Sequence, residues 1–298
     1  MDLNLGHFTS PEGKARYIRL FESVLAQCWP VAYEERLVPT RFGESYVIIS
    51  GPADAPPLVL LHGFSATAAM WGSHIDLLSR HFRCYSIQTI TDAGKGQQTA
   101  PIATQADYVT WLRELYAGLG LTRARVMGLS YGGFLAASLA LHAPELVERL
   151  VLLCPAGTLD NLPAQFMLRA LPGMLTKSDA LLRWYWHWFF HDKARARHPL
   201  SDLFVAAWQT FAQSRQFVIP ARFSDDDLRR LTMPTTVLIG DHEVIYKQGP
   251  QAALERALLI PGVSACLVPN AAHVLTMDNP NDLTRLMLQG LKPTQEVA

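Results

Sequence analysis

Charge is scarce in this 298-residue chain. Only 17% of residues are charged, 26 basic and 26 acidic side chains cancel, and no basic run stands out. That argues against nucleic acid as a partner, because phosphate recognition needs clustered positive charge. Cysteine is scarce too. Cys28, Cys84, Cys154 and Cys266 are scattered and form no CxxC pair. Such spacing suits buried thiols in a reducing cytoplasm better than a disulfide framework or a zinc site. No apolar run approaches the roughly 18 residues that span a bilayer. The first residues, MDLNLGHFTSPEGKARYIRLF, lack a basic stretch followed by an apolar one, so neither a membrane span nor a signal peptide is expected. Apolar side chains, by contrast, are plentiful: 49% of residues are hydrophobic and 10% aromatic. Disorder is excluded, a sizeable core is within reach, and chemistry on an uncharged or apolar small molecule becomes the leading expectation.

The apolar residues are arranged in two rhythms. Ser10 to Gln27 reads as a helix, with Tyr17, Ile18, Phe21, Val24 and Leu25 at helical spacing. Extended segments follow at Tyr33 to Val38 and Ser45 to Ser50. Short continuous apolar runs then recur at Pro57 to Leu61, Arg83 to Gln88, Arg125 to Leu129, Leu150 to Cys154, Thr235 to Ile239 and Ala265 to Val268. Runs of this kind suit strands buried on both faces of a parallel sheet. Helical segments separate them at Ile75 to His81, Thr104 to Leu119, Phe134 to His142, Gln248 to Leu259 and Asn281 to Leu291. The alternation predicts an α/β fold with a mostly parallel central sheet flanked by helices.

One stretch breaks the rhythm. Residues 158–227 show no convincing strand, and Pro163, Pro172, Pro199 and Pro220 punctuate helical pieces. Within it, Leu181 to Phe190 is unusually aromatic. On a helix Arg183, His187, His191 and Arg195 would form one polar stripe. The stretch reads as a helical cap inserted after the sixth strand. It divides the core into 1–157, which includes the helix at 10–27, and 228–298. Most of the aromatics Trp184, Tyr185, Trp186, Trp188, Phe189, Phe190, Trp208 and Phe211 are expected to form the cap's own core. A minority would reach a substrate, with Trp184 and Trp188 as the candidates.

Gly128-Leu-Ser130-Tyr-Gly132 lies between an apolar strand and the small-residue helix Gly133-Phe-Leu-Ala-Ala-Ser. A sharp strand-to-helix turn needs small residues two positions either side of its centre. Such a turn lifts the serine hydroxyl clear of the sheet, beside a helix N-terminus. Strand, G-x-S-x-G and helix together resemble the α/β-hydrolase superfamily, in its serine-nucleophile branch of carboxylesterase-like enzymes, over nearly the whole chain. That resemblance implies that Ser130 is a nucleophile. It also implies an oxyanion hole made by the backbone amides of Phe64, in His62-Gly63-Phe64, and of Tyr131, with His62 buttressing the loop. His273 follows the last predicted strand and precedes Asp278-Asn-Pro280, where the family places its histidine. The family's usual G-x-x-D spacing puts Glu243 at the acid position of Gly240-Asp241-His-Glu243. Asp241 remains an alternative, and Asp160 a remoter one.

The expected activity is cofactor-free serine hydrolysis of a small to medium ester with an apolar acyl or aryl part. The same residues could serve C–C bond, thioester or lactone hydrolysis, or perhydrolysis, because reaction choice lives in the pocket. A binding protein that kept the fold and lost catalysis is a further alternative. His187 and His191 stand four apart, but the glutamate of H-E-x-x-H is missing and no third ligand suggests itself, so no metal is expected. Gly94-Lys95-Gly96 lacks the spacing of a phosphate-binding loop.

Overall fold

The computed structural model describes residues 5–292. Among them the strands are β1 (His7–Phe8), β2 (Tyr33–Thr40), β3 (Gly43–Ser50), β4 (Pro57–Leu61), β5 (Arg83–Ile87), β6 (Gln97–Gln98), β7 (Ala124–Leu129), β8 (Val147–Leu153), β9 (Phe211–Ala212), β10 (Thr235–Gly240) and β11 (Ser264–Val268). The main sheet runs in the order β11-β10-β8-β7-β4-β5-β3-β2, with β6 beside β3. From β5 to β11 its pairings are parallel, while β3 is antiparallel to both β5 and β2. The interior strands β4, β7 and β10 are buried almost throughout, so both faces are covered and the continuous apolar runs are explained.

The helices are α1 (Pro11–Cys28), α2 (Gly72–Ser79), α3 (Gln105–Leu119), α4 (Tyr131–His142), α5 (Ala164–Thr176), α6 (Asp179–Trp188), α7 (Pro199–Thr210), α8 (Asp225–Arg229), α9 (Pro250–Ala257), α10 (Leu275–Asp278) and α11 (Pro280–Leu291). Local chemistry sets their ends. Ser10 caps α1 by accepting a hydrogen bond from the Gly13 amide, and Pro11 fits the first helical position. Thr104 and Asp107 form a reciprocal capping box on α3, which ends at left-handed Gly120. The helix that follows the central strand, α4, is buried along Tyr131 to Leu141.

Residues 158–227 hold α5, α6, α7, β9 and the first three residues of α8, which runs on to Arg229. Three expectations for this stretch need correction. It does contain a strand: β9 pairs antiparallel with β1, joining Phe211 to Phe8 and Ala212 to His7. Two residues are too few to leave a periodic signature. Pro172 lies inside α5 without ending it. The polar stripe is shorter than its sequence spacing implied, because α6 stops at Trp188 and leaves His191 and Arg195 beyond the helix. Two links join this stretch to the N-terminal part: α7 packs on α1, and the Thr9 amide donates to the Thr210 carbonyl, 2.8 Å. On α5, Met167, Leu168, Leu171 and Leu175 remain exposed. None of the helices described is long and apolar enough to cross a membrane.

This burial contrast gives a direct expectation. Leu60→Ala in β4, at full burial, should lower unfolding stability by about 2–5 kcal/mol. Leu175→Ala on α5, 75% exposed, should change it by less than about 0.5 kcal/mol. Denaturant midpoints of the two variants check both; similar losses would contradict this placement of the core.

Candidate active site

At the carboxyl end of β7 the chain turns directly into α4, and Ser130 takes the turn with φ 53° and ψ −115°. A left-handed φ is costly for a residue with a Cβ. The surroundings hold it there. The Ser130 amide donates to the Leu153 carbonyl (2.9 Å), and its own carbonyl accepts from Phe134 and Ala156 (both 3.0 Å). The flanking glycines allow the close approach. A Cβ at Gly128 would stand 2.2 Å from the Gly132 carbonyl oxygen, and one at Gly132 would stand 2.2 Å from that of Leu61.

Two loops from neighbouring strand ends bring an imidazole and a carboxylate together. His273 Nδ1 lies 3.0 Å from Glu243 Oε2, and both side chains are buried. The other oxygen, Oε1, accepts from the Val244 and Ile245 amides at 2.7 and 2.9 Å, so the two halves of the carboxylate have separate tasks. Burial works to raise the pKa of Glu243. The charge and hydrogen bond of His273, the Cys154 thiol and the Ile245 amide outweigh it and hold the group below the ordinary glutamate range. Ligand atoms of Cys154, Glu243 and His273 lie within 4.8 Å of one another. Because they already bond among themselves, the trio reads as a hydrogen-bonded chain rather than a vacant metal site. Sequence inspection missed Cys154, since a lone cysteine after a strand carries no motif.

The rival carboxylates are occupied elsewhere. Asp241 accepts from the Asn270 and Ala271 amides and pairs with His242. Asp160 accepts from the Asn161 and Gln248 amides. Neither touches His273 in these contacts.

The loop after β4 faces the serine turn. A Cβ on Gly63 would lie 3.4 Å from the Ser130 Cβ. Tyr131, as first residue of α4, has an amide with no intrahelical acceptor. His62 braces the loop from beneath: its Nδ1 donates to the Gly63 carbonyl, 2.8 Å, and its Nε2 accepts from the Thr89 amide, 2.9 Å. Burial pushes this imidazole down to about 4, so it stays neutral. Just beyond Phe64, Ser65 is left-handed, φ 53°. Its amide donates to Asp92 Oδ1 at 3.4 Å, and Gln213 Nε2 reaches the same oxygen at 3.1 Å. Burial pushes the Asp92 carboxyl up to about 7, against those two hydrogen bonds.

Gly63, Phe64, Leu129, Ser130 and His273 line one cavity of about 770 Å³, open in part to solvent. Helices α5 to α7 supply the facing wall, chiefly Phe166, Tyr185, Trp186, Phe189, Phe204 and Trp208. No Asp, Glu, Lys or Arg is among the lining residues described. Trp184 and Trp188, the expected substrate contacts, are not among them either, and that expectation is corrected. Trp184 points outward, 48% exposed under Arg169. Trp188 packs on Phe166, Tyr185 and Phe189 behind the wall. Residues Leu182, Tyr185, Trp186 and Phe189 are the buried face, at i, i+3, i+4 and i+7. That phase was available in the sequence as a signal and outranks aromatic content.

Known proteins resemble this chain over most of its length. The sequence pattern of the alpha/beta hydrolase family matches residues 58–285. The carboxylesterase YbfK of Bacillus subtilis (strain 168) is 33% identical over 292 residues, covering 95% of this chain and 96% of its own length. The uncharacterized carboxylesterase nap of the same strain is 35% identical, covering 89% of this chain and 88% of its own. The crystal structure of naproxen esterase (carboxylesterase NP) from Bacillus subtilis superposes with a TM-score of 0.88 at 31% identity, covering 94% of this chain and 98% of that one.

The buried Asp92 sets a pH dependence with a definite sign. A carboxyl raised in the folded protein from 3.8 to about 7 favours the fold below its ordinary value. It costs stability as pH rises between those limits. The thermal midpoint of the native protein, relative to Asp92→Asn, is therefore expected to fall from about pH 4 to about pH 7 and to level off above. Parallel midpoint curves for the two proteins would refute the assignment.

Proposed function

The chain belongs to the alpha/beta hydrolase family, and from that premise we propose that it is a serine esterase. Its substrate is a small to medium ester with an apolar acyl or aryl part. One observation carries the reading: the 3.0 Å contact between His273 Nδ1 and Glu243 Oε2, in a loop that borders the same cavity as Ser130. With Nδ1 committed to the carboxylate, Nε2 is the nitrogen free to take a proton.

Ser130 Oγ forms the bond to the ester carbonyl carbon as its proton passes to Nε2 of His273. The carbonyl oxygen becomes an oxyanion, which the Phe64 and Tyr131 amides stabilise. Collapse breaks the bond to the leaving oxygen, which takes the proton back from Nε2 and departs as alcohol. Water then repeats the sequence on the acyl-enzyme, releasing acid and restoring Ser130. Glu243 stays ionised throughout, orienting the imidazole and stabilising the imidazolium that forms at each step.

The walls define the substrate class. Side-chain polarity at the cavity comes from Tyr17, Ser65, Thr67, Ser130, Tyr185 and His273 and the indole N–H groups of Trp186 and Trp208, and the rest of the lining is apolar. A charged acyl group would lose its hydration there with nothing to replace it. Residues 158–227 act as the cap that supplies the aromatic wall, on a core made of 1–157 and 228–298. The four cysteines are free thiols, which fits a cytoplasmic setting.

A fluorophosphonate probe is expected to label Ser130, and Ser130→Ala to abolish both labelling and hydrolysis of p-nitrophenyl esters, by about 10³-fold or more. Glu243→Gln should lower kcat by about 10²- to 10⁴-fold, and Asp241→Asn far less. An unlabelled folded protein would remove the reading, and a costlier Asp241→Asn would move the acid to Asp241. Faster turnover of thioester, lactone or diketone substrates in the same assay would change the reaction but keep the residues.

A further inference from the structure

A second carboxylate beside His273 is not used by the chemistry above. Asp278 is buried, and main-chain donors fill it. Its Oδ2 accepts from the Ala272 amide (2.9 Å) and from the His191 amide (2.9 Å), and its Oδ1 accepts from the Asp192 amide (3.2 Å). Ala272 immediately precedes His273. His191 and Asp192 belong to the segment that leaves α6. One carboxylate therefore holds the histidine loop and the 158–227 stretch together.

Other bonds converge on the same seam. The residue immediately after the histidine, Val274, donates its amide to the Phe189 carbonyl, 3.1 Å. The Phe189 ring lies 5.5 Å from the imidazole, tilted by 47°. Arg195 Nη1 donates to the Met277 carbonyl, 3.1 Å. His273 is thus tied on its N-terminal side through Asp278 and on its C-terminal side through Phe189, and residues 189–195 provide a partner for both ties.

We propose that Asp278 is a positioning residue for His273, acting by tying the histidine loop to the segment that follows α6. The inference rests on the reading of His273 as the base for Ser130. A carboxylate accepts at both oxygens. An amide in its place would turn an NH2 group toward one set of main-chain N–H donors, and that side of the clamp would open. A displacement of the imidazole by about 1 Å is enough to cost on the order of 10²-fold in rate.

The test compares Asp278→Asn, Asp278→Glu and Arg195→Met with the native chain on p-nitrophenyl butyrate. Rates are counted per fluorophosphonate-reactive site, so that unfolded protein does not enter. Asp278→Asn is expected to lower kcat by about tenfold or more and to change KM little, with Asp278→Glu recovering part of the loss. Arg195→Met removes a contact from the same seam at a side chain 47% exposed, so it tests the clamp should the buried variant fail to fold. Its kcat should fall less, again with little change in KM. Native kcat per reactive site in each folded variant would make Asp278 merely structural and overturn the proposal. Failure of the native protein to label at Ser130 would overturn this proposal together with the reading beneath it. Labelling with no effect of the variants would overturn this proposal alone.

Discussion

The structure depends on one backbone conformation, the left-handed turn at Ser130 between β7 and α4. The turn is unfavourable in isolation, and it is kept by what encloses it. Leu153 and Ala156, at and just beyond the end of β8, hold the Ser130 peptide groups from one side. Gly128 and Gly132 let the β7 strand, the helix α4 and the end of β4 approach to distances that no Cβ permits. That approach requires β7 to lie between β4 and β8, and it requires α4 to be apolar all round. Alanine and leucine in α4 therefore serve the position of Ser130 as much as they serve the core.

Around this fixed point, buried carboxylates tie the loops down. Asp92 holds the loop that follows Phe64, and Gln213 joins it there from beyond β9. Asp160, near the start of the inserted stretch, holds the chain beyond Glu243 at the Gln248 amide. Asp278 holds the histidine loop to the segment after α6. Each of these three loops thus meets residues 158–227 through an acid bonded mainly to amides. A buried carboxylate is costly unless its lone pairs are filled. Asp92, with the long 3.4 Å bond from Ser65 and one side-chain amide, is the one pushed toward neutrality. Glu243, bonded to two main-chain amides and an imidazole, is held ionised. The same burial acts on both, and the number and quality of donors decides the charge.

Much of this was legible in the sequence, for a physical reason. Strands buried on both faces are continuous apolar runs, and helices between them keep their own period, so the sheet and its order of elements follow from local pattern. The G-x-S-x-G turn is local as well. The inserted stretch was harder to read. In Leu181 to Phe190 nearly every side chain is apolar, so composition indicates burial but not which face is buried. Trp184 and Trp188 lie off the cavity lining, while helical phase puts Tyr185, Trp186 and Phe189 on it. The two-residue pairing of β1 with β9 has no period at all. The roles of Asp92 and Asp278 were illegible for a different reason: their partners are amides 27 to 121 residues away in sequence, or in loops whose course only the fold defines.

The scarcity of charge acquires a chemical meaning at the cavity. In the proposed reaction, ester hydrolysis creates two charges from none, an oxyanion at the carbonyl and an imidazolium at His273. In water each would be solvated and their field screened. Among the aromatic walls of Phe64, Tyr185, Phe189 and Trp208, fixed dipoles and the Glu243 carboxylate act at a lower dielectric than bulk water, which makes a given contact worth several times more. A lysine or aspartate in that wall would add a field of one sign, stabilising one of the two charges and opposing the other. A neutral aromatic wall opposes neither. It leaves the balance to the groups aimed at each charge, and it selects for substrates that bring no charge of their own.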